Sequence, residues 1–140
     1  MTISVVLVDD DEIDRYITRR IVQAGVEDSR FAEYEAGDAF LEAIADPVTR
    51  ERDIGVPPPP VLILLDINMP RMTGFDVLES MKEHLERDES LRTGFKVMMF
   101  SSSENAKDRE TAFSYDFVKD YIVKPLTKQK LQALVKRHYS

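Results

Sequence analysis

Cysteine and tryptophan are absent from the 140 residues, histidine occurs only twice and glycine five times. Without cysteine there are no disulfides, no thiol nucleophile and no cysteine-ligated zinc or iron–sulfur centre, and His84 and His138 are the whole imidazole inventory. Long apolar runs are also missing: the longest are of strand length, so no membrane span is expected. The N-terminus lacks the basic-then-apolar layout of a secretory signal, which points to the cytoplasm. A basic surface is lacking as well. A formal charge of −7 and a pI near 4.9 disfavour nucleic acid as a partner and leave proteins or small cations. What remains is 43% hydrophobic and 32% charged, the balance of an ordinary globular protein. The expected organisation is one domain over 1–140 with no effector domain.

Within that chain, Val61-Leu62-Ile63-Leu64-Leu65 is an unbroken aliphatic run, preceded by Pro57 to Pro60 and closed by Asp66. Such a run predicts a strand buried on both faces, with Asp66 emerging at its C-terminal end. A carboxylate beside a fully apolar strand is costly unless a cation, a hydrogen bond or water compensates it, so Asp66 is the candidate reactive group. Ile3 to Val8 repeats the pattern and ends in Asp9, Asp10 and Asp11.

The following segment carries Ile13, Ile17, Ile21 and Ala24 at helical spacing and is expected to bury that face, ending near Gly25. Asp11 and Glu12 are assigned to the positive end of this helix rather than to a metal. Arg30 to Glu35 reads as a weaker strand, Ala36 to Ala45 as a helix, and Asp46 to Pro60 as an irregular connector. Beyond the central strand, Thr73 with Asp76 forms a capping box for a helix bearing Phe75, Leu78 and Met81, and Arg87 to Gly94 reads as a polar loop. Phe95 to Phe100 is a strand ending in Ser101, Ser102 and Ser103, followed by a helix from Asn105 to Tyr115. Lys119 to Val123 is the last strand, ending in Lys124-Pro125, and Thr127 opens a final helix with Leu131, Leu134 and Val135 inward. Five strands alternating with five helices predict a doubly wound parallel sheet.

In open parallel sheets functional groups gather outside the carboxyl ends of the strands. Taking over the order 2-1-3-4-5 from known sheets of this kind, the strands ending in Asp9 and Asp10, Asp66, Ser101 and Lys124 lie side by side. Three carboxylates repel unless a cation joins them, and oxygen-only donors favour Mg2+ or Mn2+. A lysine and a hydroxyl beside them suit phosphoryl oxygens, and a carboxylate can be the nucleophile that takes the phosphoryl group.

At this point the chain resembles a bacterial response regulator receiver domain, of the single-domain, chemotaxis-regulator-like kind. The resemblance rests on Asp9 and Asp10, on Asp66 in "LLDINMP", on Gly74, Ser101 and Tyr121, and on Lys124 in "YIVKP". It implies a flavodoxin-like receiver fold and a Mg2+-dependent transfer of a phosphoryl group from a histidine kinase or histidine phosphotransfer protein onto Asp66. It further implies Asp10, Asp66 and the backbone carbonyl of Asn68 as direct metal ligands, Asp9 acting through water, and Ser101 with Tyr121 as a switch. The protein would be a phosphoacceptor rather than an enzyme. Output would pass through the fourth helix, fifth strand and fifth helix, to a separate target or to a second copy. Ser101 stands where threonine is frequent, Ser102 where alanine is usual, and Lys119-Asp120 replaces a frequent glycine. The segment "SYDFVKDYIVKP" is similar to regulators paired with phytochrome-type kinases. Two other classes fit less well. A haloacid-dehalogenase-type phosphatase needs an acid where Asn68 stands, and a flavodoxin-shaped binding module needs a Gly- and Ser-rich loop where Asp9 to Asp11 stand.

Overall fold

Apolar side chains on both sides of a strand require cover on both sides, and that requirement builds this molecule. The computed structural model describes residues 2–139. In chain order the elements are β1 (Ile3–Val8), α1 (Glu12–Gly25), β2 (Ser29–Tyr34), α2 (Gly37–Ala45), α3 (Pro47–Asp53), β3 (Val61–Leu65), α4 (Gly74–Arg87), α5 (Glu89–Gly94), β4 (Phe95–Ser101), α6 (Ala106–Phe113), β5 (Val118–Val123) and α7 (Lys128–Tyr139). The five strands are all parallel, in the order β2-β1-β3-β4-β5.

Alternation along each strand divides the core in two. Val6, Val8, Ile63, Leu65, Val97 and Met99 point to one face, where Phe40 and Ile44 of α2 and Val77, Leu78 and Met81 of α4 cover them. Val5, Leu7, Leu62, Leu64, Met98 and Phe100 point to the other, against Val22 of α1 and Leu131 and Leu134 of α7. Each such side chain contributes about 1.5–3 kcal/mol of hydrophobic stabilisation. The sheet is therefore fixed from both faces, and its strand ends are rigid mounts.

Helix starts follow the predicted chemistry. Asp11 caps α1 by accepting from the backbone N–H groups of Ile13 and Asp14, and Thr73 with Asp76 completes the capping box of α4. Gly74 has no room for a side chain: a Cβ there would lie 2.3 Å from the carbonyl oxygen of Asp66. Its N–H donates to the Ile67 carbonyl at 2.8 Å, tying the start of α4 to the loop behind Asp66.

Two expectations fail. There are seven helices among the described residues, not five, because Asp46 caps α3 with Pro47 in its first turn, and Asp88 caps α5. Both are too short to show a helical period, so the cap residues were their only signal. The second correction is the face of α1. Ile13 and Ile17 are exposed, and Thr18 and Val22 are the buried residues. Polar contacts set that rotation: Arg15 donates to the Asp9 carbonyl at 2.8 Å and lies 3.5 Å from Glu33, while Asp14 bonds Lys124.

Candidate functional site

The register of the sheet decides which side chains meet. Val8 lies beside Leu65, so the next residues, Asp9 and Asp66, leave adjacent strands together. Ser101 lies beside Val123, which puts Lys124 one step beyond at the same edge, its N–H bonded to the Ser101 carbonyl at 2.8 Å. The acids, the hydroxyl and the ammonium expected at one end of the sheet are therefore brought together there.

Asp9 is fully buried, Asp66 is 5% exposed and Asp10 faces solvent. One carboxylate oxygen from each can be chosen so that all three lie within 4.8 Å of one another. Asp9 Oδ1 accepts from the Asp11 N–H at 2.9 Å, and its Oδ2 accepts from Lys124 Nζ at 2.7 Å. Lys124 also donates to Asp14 Oδ2 at 2.9 Å and stands 3.5 Å from Asp66 Oδ1. Three carboxylates thus share one ammonium.

That imbalance appears in the protonation equilibria. Burial pushes the Asp66 carboxyl up to about 7, with Asp9 adding to the rise, against the opposing pull of Lys124 and the Asn68 backbone N–H. Burial likewise raises Asp9, against Lys124 and the Asp11 N–H. Burial works against the Lys124 charge, yet the bonds to Asp9 and Asp14 and the charge of Asp66 overcome it and hold its pKa above the ordinary lysine value. Hard oxygen donors carrying uncompensated charge suit Mg2+ or Mn2+, and Asp9, Asp10 and Asp66 could hold such an ion.

Ser101 is fully buried beside this cluster. Its Oγ accepts from the Ser103 N–H at 3.1 Å, which leaves the hydroxyl proton to donate. Tyr121 is 5% exposed, its hydroxyl donates to the Ser103 carbonyl at 2.9 Å, and the Arg109 guanidinium lies 4.9 Å from its ring centre. Ser103 therefore links Ser101 to Tyr121. Asn68 is exposed on the loop after β3.

Sequence reading missed two residues around this site and the setting of a third away from it. Asp14 lies in the first turn of α1, where an acid reads only as favouring the positive end of the helix. Arg15 gave no local signal, because its partners Asp9 and Glu33 come from two strands. His138, which like His84 has polar neighbours in the sequence, is largely covered at the far end of α7, with Nε2 3.1 Å from Asp120 Oδ2. His84 is half-buried.

Comparison with known proteins agrees with this geometry. The family model described as "Response regulator receiver domain" matches residues 5–136. A two-component response regulator of rice, ORR3, is 27% identical over 133 residues, covering 95% of this chain and 88% of its own. The crystal structure of a two-component response regulator from Cytophaga hutchinsonii superposes with a TM-score of 0.78 at 27% identity, over 96% of this chain and 94% of that one. The Mn2+-bound form of the response regulator Rcp1 shares the fold, with a TM-score of 0.66 at 22% identity, over 95% and 88% of the two chains. These relatives include a plant and a bacterium, so a bacterial source does not follow from membership. With nearly the whole chain matched and the four polar strand ends in place, the protein belongs to the response regulator receiver family.

Proposed function

We propose that Asp66 accepts a phosphoryl group from a phosphohistidine, and that the modified protein signals through altered protein contacts. The observation that carries this reading is a buried carboxylate 3.5 Å from a lysine ammonium, with two further acids able to share a cation. In the transfer, an Asp66 oxygen forms a bond to phosphorus as the N–P bond of the donor breaks. The electron pair of that bond stays on the imidazole nitrogen, which leaves as neutral imidazole when its other nitrogen carries the proton. Asp66 must be ionised to attack.

Lys124 meets the charge that develops on the transferring oxygens, and Ser101 donates its hydroxyl proton to one of them. Mg2+ or Mn2+, held by Asp9, Asp10 and Asp66 with the Asn68 carbonyl, would supply the remaining charge neutralisation. The chain is then a phosphoacceptor that assists its own modification rather than a turnover enzyme.

The donor approaches over α1. Ile13, Tyr16 and Ile17 are 69%, 51% and 40% exposed on the helix whose Asp14 reaches the site, so an apolar patch adjoins the place of transfer. A histidine kinase or phosphotransfer protein presenting its histidine on an apolar helical surface fits that patch. A light-sensing kinase is the first donor to try, given the resemblance of "SYDFVKDYIVKP" to phytochrome-associated regulators.

Output runs through Ser103. Drawing Ser101 Oγ toward a phosphoryl oxygen breaks its bond to the Ser103 N–H and moves the carbonyl that anchors Tyr121. The face made by α6, β5 and α7 then changes toward a protein target or a second copy. Incubation with phosphorylated histidine kinases should transfer label to this chain and stop on chelation of divalent metal. Light scattering and amide exchange with beryllofluoride, on wild type and Tyr121→Ala, test the output. No labelling by any donor would sink the first part, and an α6-β5-α7 face indifferent to beryllofluoride the second.

A further inference from the structure

Lys124 is engaged twice before any phosphoryl group arrives. Its ammonium donates to Asp9 Oδ2 at 2.7 Å and to Asp14 Oδ2 at 2.9 Å, and only then faces Asp66 Oδ1 at 3.5 Å. Asp14 lies outside the acid trio able to share a cation. It sits in the first turn of α1 and reaches across to the residue that follows β5. An ammonium has three protons, so two are already committed to carboxylates.

We propose that Asp14 is a positioning residue that competes with the group on Asp66 for the Lys124 ammonium, and so limits how tightly the phosphorylated form is held. This rests on Asp66 being the phosphoacceptor. A phosphoryl group there presents strong acceptor oxygens: the one free ammonium proton meets a single oxygen, and Lys124 turns further onto the group by releasing one of its two carboxylates. Asp9 is not the one released: its side chain is fully buried and its other oxygen is bound to the Asp11 N–H. Asp14 is 34% exposed, so its carboxylate turns to water with little desolvation cost. Breaking the Asp14 bond is therefore a cost of turning more than the one free ammonium proton onto the phosphoryl group.

Beryllofluoride with Mg2+ is titrated into wild type, Asp14→Ala, Asp14→Asn and Glu12→Gln, and bound fluoride is followed by 19F resonance. Asp14→Ala should tighten binding about three- to tenfold, the size of one net hydrogen bond. Asp14→Asn should tighten it less, because its amide oxygen still accepts. Glu12→Gln removes an exposed charge from the same turn without touching Lys124 and should change little. The Lys124 ammonium resonance should move on saturation of wild type and start closer to that bound position in Asp14→Ala, which a merely structural role would not produce. Unchanged or weaker binding in both Asp14 variants overturns the proposal. Equal tightening in Glu12→Gln also overturns it, since the cause would then be overall charge. If wild type itself binds no beryllofluoride, the phosphoacceptor reading falls and takes this inference with it.

Discussion

Two acid clusters in this molecule are built from similar parts and behave in opposite ways. Asp120, within β5, meets Arg137 and His138 of α7 and the Tyr121 N–H. Burial alone would raise its pKa, but the bonds to His138, the Tyr121 N–H and Arg137 outweigh it and hold the carboxyl below its usual range. Asp66, at the end of β3, shares one ammonium with Asp9 and Asp14, and burial pushes its pKa up to about 7. The first cluster is balanced and fastens a helix to a strand. The second is left short of positive charge, which a divalent cation held by Asp9, Asp10 and Asp66 would relieve.

The largest change should come from removing the ammonium that Asp9, Asp14 and Asp66 share. Lys124→Ala should slow phosphorylation of Asp66 by about a hundredfold or more, as for other groups that stabilise a developing charge, while circular dichroism stays native. Labelling at an undiminished rate would show that the ammonium does not meet the phosphoryl group. Next, Asp10→Ala should weaken Mg2+ at least about tenfold, the lower end of what even outer-shell changes cost. Calorimetry suits the measurement, since the chain has no tryptophan to report binding.

The comparison also predicts opposite slopes of stability against pH. Asp66 has a raised folded pKa, so between about 4 and 7 the native state keeps a proton that the unfolded chain has lost, and stability falls as pH rises. Asp66→Asn removes that loss and should stabilise the metal-free protein at pH 8 by about 2 kcal/mol, but much less at pH 5. Urea unfolding in chelator at both values would read it. Asp120 has a lowered folded pKa, so its contribution is present above the ordinary carboxylate range and lost as pH falls through it. Asp120→Asn should therefore destabilise the neutral protein, by about 1 kcal/mol after screening, and flatten the acid limb of the curve. Slopes of the same sign in the two variants would erase the distinction between the clusters.

Much of this contrast was legible in the sequence, for a physical reason. A strand buried on both faces has a nearly continuous apolar spelling, so β1 and β3 announced themselves, and the polar residues that end them stood out. The order of the sheet had to be taken from known folds, because no local pattern encodes which strands pair. Three features were hidden because they depend on partners distant in the chain. The rotation of α1 is set by Arg15, Asp14 and their contacts on β1, β2 and the end of β5, against the pull of Ile13 and Ile17. His138 reads as a surface residue until β5 brings Asp120 against it. Asp14 looks like an ordinary first-turn acid until Lys124 arrives from the far end of the chain.

The central proposal is that the acids around Asp66 hold a divalent cation and that Asp66 takes a phosphoryl group in its presence. Intact mass after treatment with a small phosphodonor tests it most directly, on wild type and Asp66→Asn, with Mg2+ and with chelator. The account predicts the mass of one added phosphoryl group on wild type with Mg2+, and none with chelator or on Asp66→Asn. Equal labelling of the Asp66→Asn protein, or labelling indifferent to metal, would contradict it.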